Sequence, residues 1–283
     1  MDRPDIRLIG LDLDGTVFTD EKKITDKTKL ALERAIQKGI AVVPVTGRPL
    51  SGLKGAREFM EIPGVNYAIT SNGAAIYDLT QKECIFLHPL SSEKVVEVLQ
   101  KIQGYPLIPD CFIRGEGHIQ KDNQDKISKL PVVKAIKEYL QSSRVFVDDL
   151  QDYVSQQDNV VEKITINFFA DEQGELLYGN QVRKLLEDIS GITVVSGAPH
   201  NQEINLLGVS KSRGLYELGK KLGISMEQIM VCGDGENDRE MIKDAGFGVA
   251  MGNAAQCVKD VADYVTKSNE EDGVAYVLEQ YVL

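Results

Sequence analysis

The chain has 283 residues, with 43 acidic against 32 basic side chains and a formal net charge of -11. That excess of acid excludes the long-range cationic field that gathers nucleic acid or an anionic membrane, so an anionic substrate has to be held by local cations or a metal. Four widely separated cysteines without a C-x-x-C pair give no sign of a zinc site or disulfide framework and fit a reduced, cytoplasmic setting; the length exceeds the ~100–200 residues of one domain, and two domains are expected.

The N-terminal residues enter a short apolar run at once, without the long apolar stretch of a signal peptide, and no run approaches the ~20 apolar residues of a membrane span. Residues 7–13, R-L-I-G-L-D-L, read as a short buried strand ending in carboxylates. A helix follows over residues 25–38, with apolar spacing at Leu30, Ala31, Ala35 and Ile36, and Gly39 is placed to end it. Apolar runs at 40–45 and 67–70 meet T-G-R-P and S-N-G, so strand and helix alternate as in a parallel sheet with crossover helices.

From about residue 85 to 196 the texture changes to short alternating strands, such as 163–169, mixed with amphipathic helices, such as 132–140 and 181–189. Within it Arg114, Glu116, His118 and Lys121 form a Gly-containing polar stretch that either reaches substrate or makes a solvated hairpin; Gly115 and Gly117 favour the hairpin. The first grammar then returns, with a helix over 211–222, a strand over 228–232, the turn G-D-G-E-N-D, a helix, and a strand over 247–251. The expected fold class is α/β, a Rossmann-like parallel-sheet core of residues 1–84 and 197–283, interrupted by an inserted α+β domain of residues 85–196.

Functional crevices in open α/β sheets lie beyond the carboxyl ends of the strands, where D-L-D-G-T, T-G-R and G-D-G-E-N-D all fall. Neighbouring parallel strands would bring Asp12, Asp14, Asp234 and Asp238 into one small volume. Such crowding needs a cation, and an all-oxygen set with few protein ligands suits Mg²⁺. Any one of these residues taken singly is as well explained as a turn former or helix cap. Lys211 adds a different signal: with Ser210 as N-cap it sits in the first helical turn, unfavourable for a cation unless something anionic lies nearby.

Other motifs fail on position. A calcium loop starting at Asp12 would need Gly and Glu where Val17 and Lys23 stand, and no P-loop, dinucleotide fingerprint or G-x-S-x-G elbow is present. The three histidines, His88, His118 and His200, lie in or next to the inserted region.

Taken together and in this order, D-L-D-G-T, Thr46 in V-T-G-R, Lys211 and G-D-G-E-N-D resemble the four motifs of the haloacid dehalogenase superfamily, over residues 6–251. S-N-G-A at residues 71–74, the G-V-S-K context and the large insertion resemble its Cof-type branch (subclass IIB), whose members carry a C2-type α+β cap. The resemblance implies a phosphatase of small phosphomonoesters, such as sugar phosphates, with a small phosphorylated metabolite as partner and neither nucleic acid nor membrane. It implies Asp12 as nucleophile and Asp14 as general acid and then base. Asp12, the main-chain carbonyl of Asp14 and Asp234 would hold Mg²⁺. Thr46, the amides of Leu13 and Gly47, Lys211 and Asn237 would grip the phosphate, and Asp238 would support the metal shell and Lys211 from behind. Asp14 separates this chain from the halide-removing members, which lack it, and from the ion pumps, which carry Thr there. A sugar phosphomutase and a phosphoester-binding protein with little turnover are the alternative readings.

Overall fold

The computed structural model describes residues 5–198 and 200–283; residues 1–4, on which the reading of the N-terminus falls, and Pro199 lie outside them. Contacts divide the chain into two compact units. One comprises Met1–Arg48, Ala56–Phe86 and Ser210–Leu283, the other Pro49–Gly55 and Leu87–Val209.

The first unit is built on a parallel sheet whose strand order, among the described residues, is Tyr264–Val265, Phe247–Ala250, Ile229–Gly233, Leu8–Leu11 and Ala41–Pro44. Its central strands are apolar and buried along their whole length, the pattern of a sheet covered on both faces. The registers pair Leu11 with Cys232 on one side and with Pro44 on the other. Asp12, Asp234 and Thr46 therefore leave the same edge of the sheet within one or two residues of one another, as the strand-end reading expects. Val45 bridges to Ile69, which brings the antiparallel strands Tyr67–Thr70, Ala75–Asp78 and Glu83–Leu87 alongside.

The helix Asp26–Gln37 starts where Thr25 accepts a hydrogen bond from the Thr28 amide. It ends in a Schellman turn: Gly39, at φ +82°, donates to the Ile36 carbonyl and Ile40 donates to that of Ala35. Its inward stripe is Thr28, Ala31, Leu32 and Ala35. Leu30, expected on that stripe, is 57% exposed, because the face set by residues 28, 31, 32 and 35 turns it outward.

The helix Lys211–Leu222 begins at Ser210, whose hydroxyl accepts from the Arg213 amide, and ends at Gly223 in the left-handed conformation. Its first turn abuts the S-N-G turn. There Ser71, Asn72 and Gly73 all have positive φ (54°, 61° and 96°), a run that few sequences tolerate. A Cβ on Gly73 would lie 2.1 Å from the Ser210 carbonyl oxygen, and one on Gly214 2.9 Å from the Gly73 Cα. Two glycines thus let the turn and the helix start touch backbone to backbone.

The second unit carries a six-stranded sheet in the order Ile192–Val195, Asn201–Leu206, Val161–Phe168, Leu107–Ile113, Glu116–Gln120 and Arg144–Val147, antiparallel except for the last pair. One face, with Cys111, Ile164, Ile166, Phe168 and Ile204, packs against Val95 and Val98 of the helix Ser92–Lys101 and Val182 and Leu186 of the helix Gly179–Glu187. The opposite face holds two buried ion pairs, Arg144 to Asp110 at 2.6 Å and Lys163 to Glu203 at 2.5 Å. Gly117 makes the first possible, since a Cβ there would lie 2.4 Å from Arg144 Cδ.

Arg114 and Gly115, at φ +51° and +79°, make the turn of the hairpin expected from the polar stretch. Arg114, Glu116 and Lys121 are exposed, but His118 is not. It pairs with Cys111 on the helix-covered face, where Tyr153 stacks on it at 5.0 Å, and burial pushes its pKa down. The alternation of the strand decides this: odd and even positions face opposite sides, whatever their polarity.

Gly73→Ala is expected to cost roughly 3 kcal/mol of unfolding free energy, because it adds both a positive-φ penalty and a backbone clash. Denaturant midpoints at unchanged m-value measure this; a shift no larger than that of an ordinary surface substitution would overturn the packing argument.

Candidate active site

Lys211 is the first residue of its helix and is 1% exposed. Its Nζ donates to Asp12 Oδ1 at 2.6 Å and to Asp238 Oδ1 at 2.5 Å. Burial works against the ammonium, as does the positive end of the helix, yet the two carboxylates outweigh both and hold its pKa raised. Both oxygens of Asp238 are hydrogen-bonded, since its Oδ2 accepts from the amides of Asp234 and Gly235 at 3.0 and 2.9 Å. It thereby shapes the turn that presents Asp234.

Asp12, Asp234 and Asp238 each offer an oxygen within 4.8 Å of the others'. Burial pushes the Asp12 pKa well up, against the pull of Lys211 and with the help of Asp238 and Asp234. Asp234 is raised to about 6, again by burial first and Asp238 second. Its Oδ1 accepts from the Thr16 hydroxyl at 3.0 Å. Gly15, at φ +82°, passes so close that a Cβ would lie 2.4 Å from Asp234 Oδ2. Raised carboxylates facing a single ammonium are under-compensated, and an oxygen-seeking divalent cation is the group this donor set fits.

Asp14 sits two residues beyond Asp12 but has the opposite surroundings. Arg48 grips it through Nε to Oδ2 at 2.8 Å and Nη2 to Oδ1 at 2.6 Å, and Lys22 Nζ reaches Oδ1 at 2.8 Å. Although burial raises its pKa, Arg48 and then Lys22 override it and bring it down to about 2. The carboxylate of Asp14 is therefore turned to these cations and stands outside the trio of Asp12, Asp234 and Asp238.

The phosphate-grip candidates occupy interlocked turns. Thr46 donates its amide to Ile69 and its carbonyl accepts from Asn72; Ser71 donates to the Arg48 carbonyl, and the Arg48 amide to Thr46 Oγ1 at 3.2 Å. Gly47 lies between Thr46 and Arg48 in this knot. Leu13 is buried, and its carbonyl accepts from the amides of Thr16, Val17 and Phe18. The Asn237 amide donates to Asn72 Oδ1 at 3.3 Å, tying the G-D-G-E-N-D turn to S-N-G.

Four contributors escaped the sequence reading. Arg48, Thr16 and Asn72 lie inside the quoted motifs T-G-R, D-L-D-G-T and S-N-G, where a polar residue left without a role was the available signal. Lys22 had none, being one lysine in the polar run D-E-K-K.

Comparison with known proteins agrees with this geometry. The family of haloacid dehalogenase-like hydrolases matches residues 9–278. The chain is 31% identical over 281 residues to the 5-amino-6-(5-phospho-D-ribitylamino)uracil phosphatase YcsE of Bacillus subtilis (strain 168), covering 99% of this chain and 97% of that one. It is 29% identical over 279 residues to the enzyme of the same name, YbjI, of Escherichia coli (strain K12), covering 97% and 96%. Among solved structures, a haloacid dehalogenase-like hydrolase from B. subtilis superposes with a TM-score of 0.83 at 26% identity, covering 98% of this chain and 100% of that one. The HAD subclass IIB sugar phosphatase BT4131 gives 0.82 at 26% identity, covering 97% and 98%. With its strand-end carboxylates gathered around one buried lysine and the family match running through nearly the whole sequence, the chain belongs to the haloacid dehalogenase-like hydrolases.

Proposed function

We propose that this hydrolase is a magnesium-dependent phosphatase of small phosphorylated metabolites, working through an aspartyl-phosphate on Asp12. The observation that carries the reading is the Lys211 ammonium between Asp12 and Asp238, because it supplies a fixed positive charge beside the one carboxylate suited to attack. Two relatives named as phosphatases of 5-amino-6-(5-phospho-D-ribitylamino)uracil and a neighbour named as a sugar phosphatase support a phosphorylated polyol or sugar as substrate class.

An Asp12 oxygen attacks phosphorus in line, forming the acyl-phosphate bond while the bond to the leaving oxygen breaks. Asp14 gives that oxygen its proton, then takes one from the water that attacks phosphorus, releasing inorganic phosphate and freeing Asp12. To carry a proton Asp14 has to leave the grip of Arg48 and Lys22. Thr46, the amides of Leu13 and Gly47, Lys211 and Asn237 hold the phosphoryl oxygens. Magnesium, when bound by Asp12, the Asp14 main-chain carbonyl and Asp234, supplies positive charge to the same oxygens, and Asp238 supports Lys211 and the Asp234 turn. The inserted α+β domain, the second unit, acts as a C2-type cap that selects the leaving group. No described helix is long and apolar enough to cross a membrane, and a cytoplasmic setting is part of this reading.

Asp12→Asn is expected to abolish Mg²⁺-dependent phosphate release across a panel of phosphomonoesters while the fold is kept; most of the activity surviving would sink the mechanism. Lys211→Ala should lower kcat by about 1000-fold, a loss typical of removing a transition-state charge partner. A folded Lys211 variant with ordinary turnover would remove that role. Protons compete with magnesium for Asp234, whose pKa burial raises to about 6, and for Asp12, which burial also raises. Apparent Mg²⁺ affinity should therefore rise as pH rises through about 6, with the raised carboxyl of Asp12 adding to the rise. Titration calorimetry at a series of pH values checks this, and a flat profile would take Asp234 out of the ligand set.

A further inference from the structure

The turn that carries Asp14 is wound by local bonds, with the amides of Thr16, Val17 and Phe18 converging on the Leu13 carbonyl and Thr19 bonded to Lys23, and it is also anchored by residues remote in sequence. The Gly15 carbonyl accepts from Asn253 Nδ2 at 2.9 Å. The Phe18 carbonyl accepts from Asn269 Nδ2 at 3.1 Å, and the same amide donates to Asp20 Oδ1 at 3.2 Å. The Asp20 amide donates to Glu270 Oε1 at 2.6 Å, and the Thr25 hydroxyl to Asp272 Oδ1 at 2.6 Å. Five successive contacts thus tie residues 15–25 to one short segment, residues 253–272.

Asn253 and Asn269 are themselves joined, the Asn269 main-chain N–H donating to Asn253 Oδ1 at 3.1 Å. Their backbones are held together by Gly252, which donates to the Lys267 carbonyl and whose Cβ would lie 2.7 Å from the Ser268 amide nitrogen. Asn269 is 6% exposed, so its amide is committed to the turn and not to solvent. The same loop carries Lys22, in a left-handed conformation at φ +62°, onto Asp14. Both the main chain after Asp14 and one of the two cations on its carboxylate are therefore placed by this brace.

We propose that Asn253 and Asn269 are positioning residues for proton delivery: they fix the turn from Gly15 to Asp20 and, through it, the place of the Asp14 carboxyl. The inference rests on the reading of Asp14 as general acid. Proton transfer is sensitive to placement, since a misplacement of about 1 Å can cost on the order of 100-fold.

The test uses leaving groups. A 4-nitrophenyl phosphate releases a stable anion that needs no proton, whereas an alkyl phosphate releases an alkoxide that does; kcat/KM reports the step in which that bond breaks. In Asn253→Ala and Asn269→Ala, kcat/KM should fall by about tenfold for the alkyl phosphate that the wild-type enzyme hydrolyses best, and by less than about twofold for 4-nitrophenyl phosphate. Asp14→Asn serves as reference and should show the same split, but larger. Equal losses on both substrates, or none on either, would overturn the brace while leaving the reading of Asp14 intact. If Asp14→Asn itself shows no split, the general-acid reading fails and takes the inference with it. Asn253 is exposed, so its variant carries the test even where Asn269→Ala does not fold.

Discussion

An ammonium group buried at the positive end of a helix is held in this protein by two carboxylates, and the rest of the first unit is arranged so that they can reach it. Asp12 comes from the end of a strand at the middle of the sheet, and Asp238 from the turn after the neighbouring strand; only parallel neighbours in register put both within 2.6 Å of one nitrogen. The helix start is fixed from the other side by the S-N-G turn, which Gly73 and Gly214 allow to press directly on Ser210 and the following turn. Removing Lys211 would leave the buried carboxylates of Asp12 and Asp238 without the cation they share, which is far more costly than the loss of a surface ion pair.

Two carboxylates separated by one residue acquire opposite character from what surrounds them. Asp12 is buried among like charges with Lys211 as its main relief, and its pKa is pushed up; Asp14 faces a guanidinium and an ammonium and is brought down to about 2. Identical side chains on one short segment are thus separated by burial on one side and cations on the other, with Gly15 making the turn that follows them. Such separation is the usual means by which a site assigns distinct tasks to chemically identical groups.

The second unit puts charge in an unlike place, on a sheet face. Arg144 lies over the rings of Phe112 and Tyr139, at 5.3 and 4.9 Å, while it pairs with Asp110, and Lys163 sits 4.8 Å over the Phe112 ring while it pairs with Glu203. Aromatic faces and carboxylates together replace the water that both cations have lost.

The amino-acid sequence by itself determined the elements whose cause is local. Short apolar runs specify the strands, Ser210 and Gly223 bound the helix Lys211–Leu222, and Gly39 ends Asp26–Gln37, because periodicity and capping act over a few residues. The carboxylates of the site were legible for the same reason, lying at strand ends beside glycines. Tertiary structure alone decided which polar residues meet. Lys22 and Arg48 on Asp14, and Asn269 on Phe18, 251 positions away, have no periodic or capping signature. A hydrogen bond between side chains far apart in sequence is set by how the strands order and the turns fold back, and a single chain of letters carries no record of that distance.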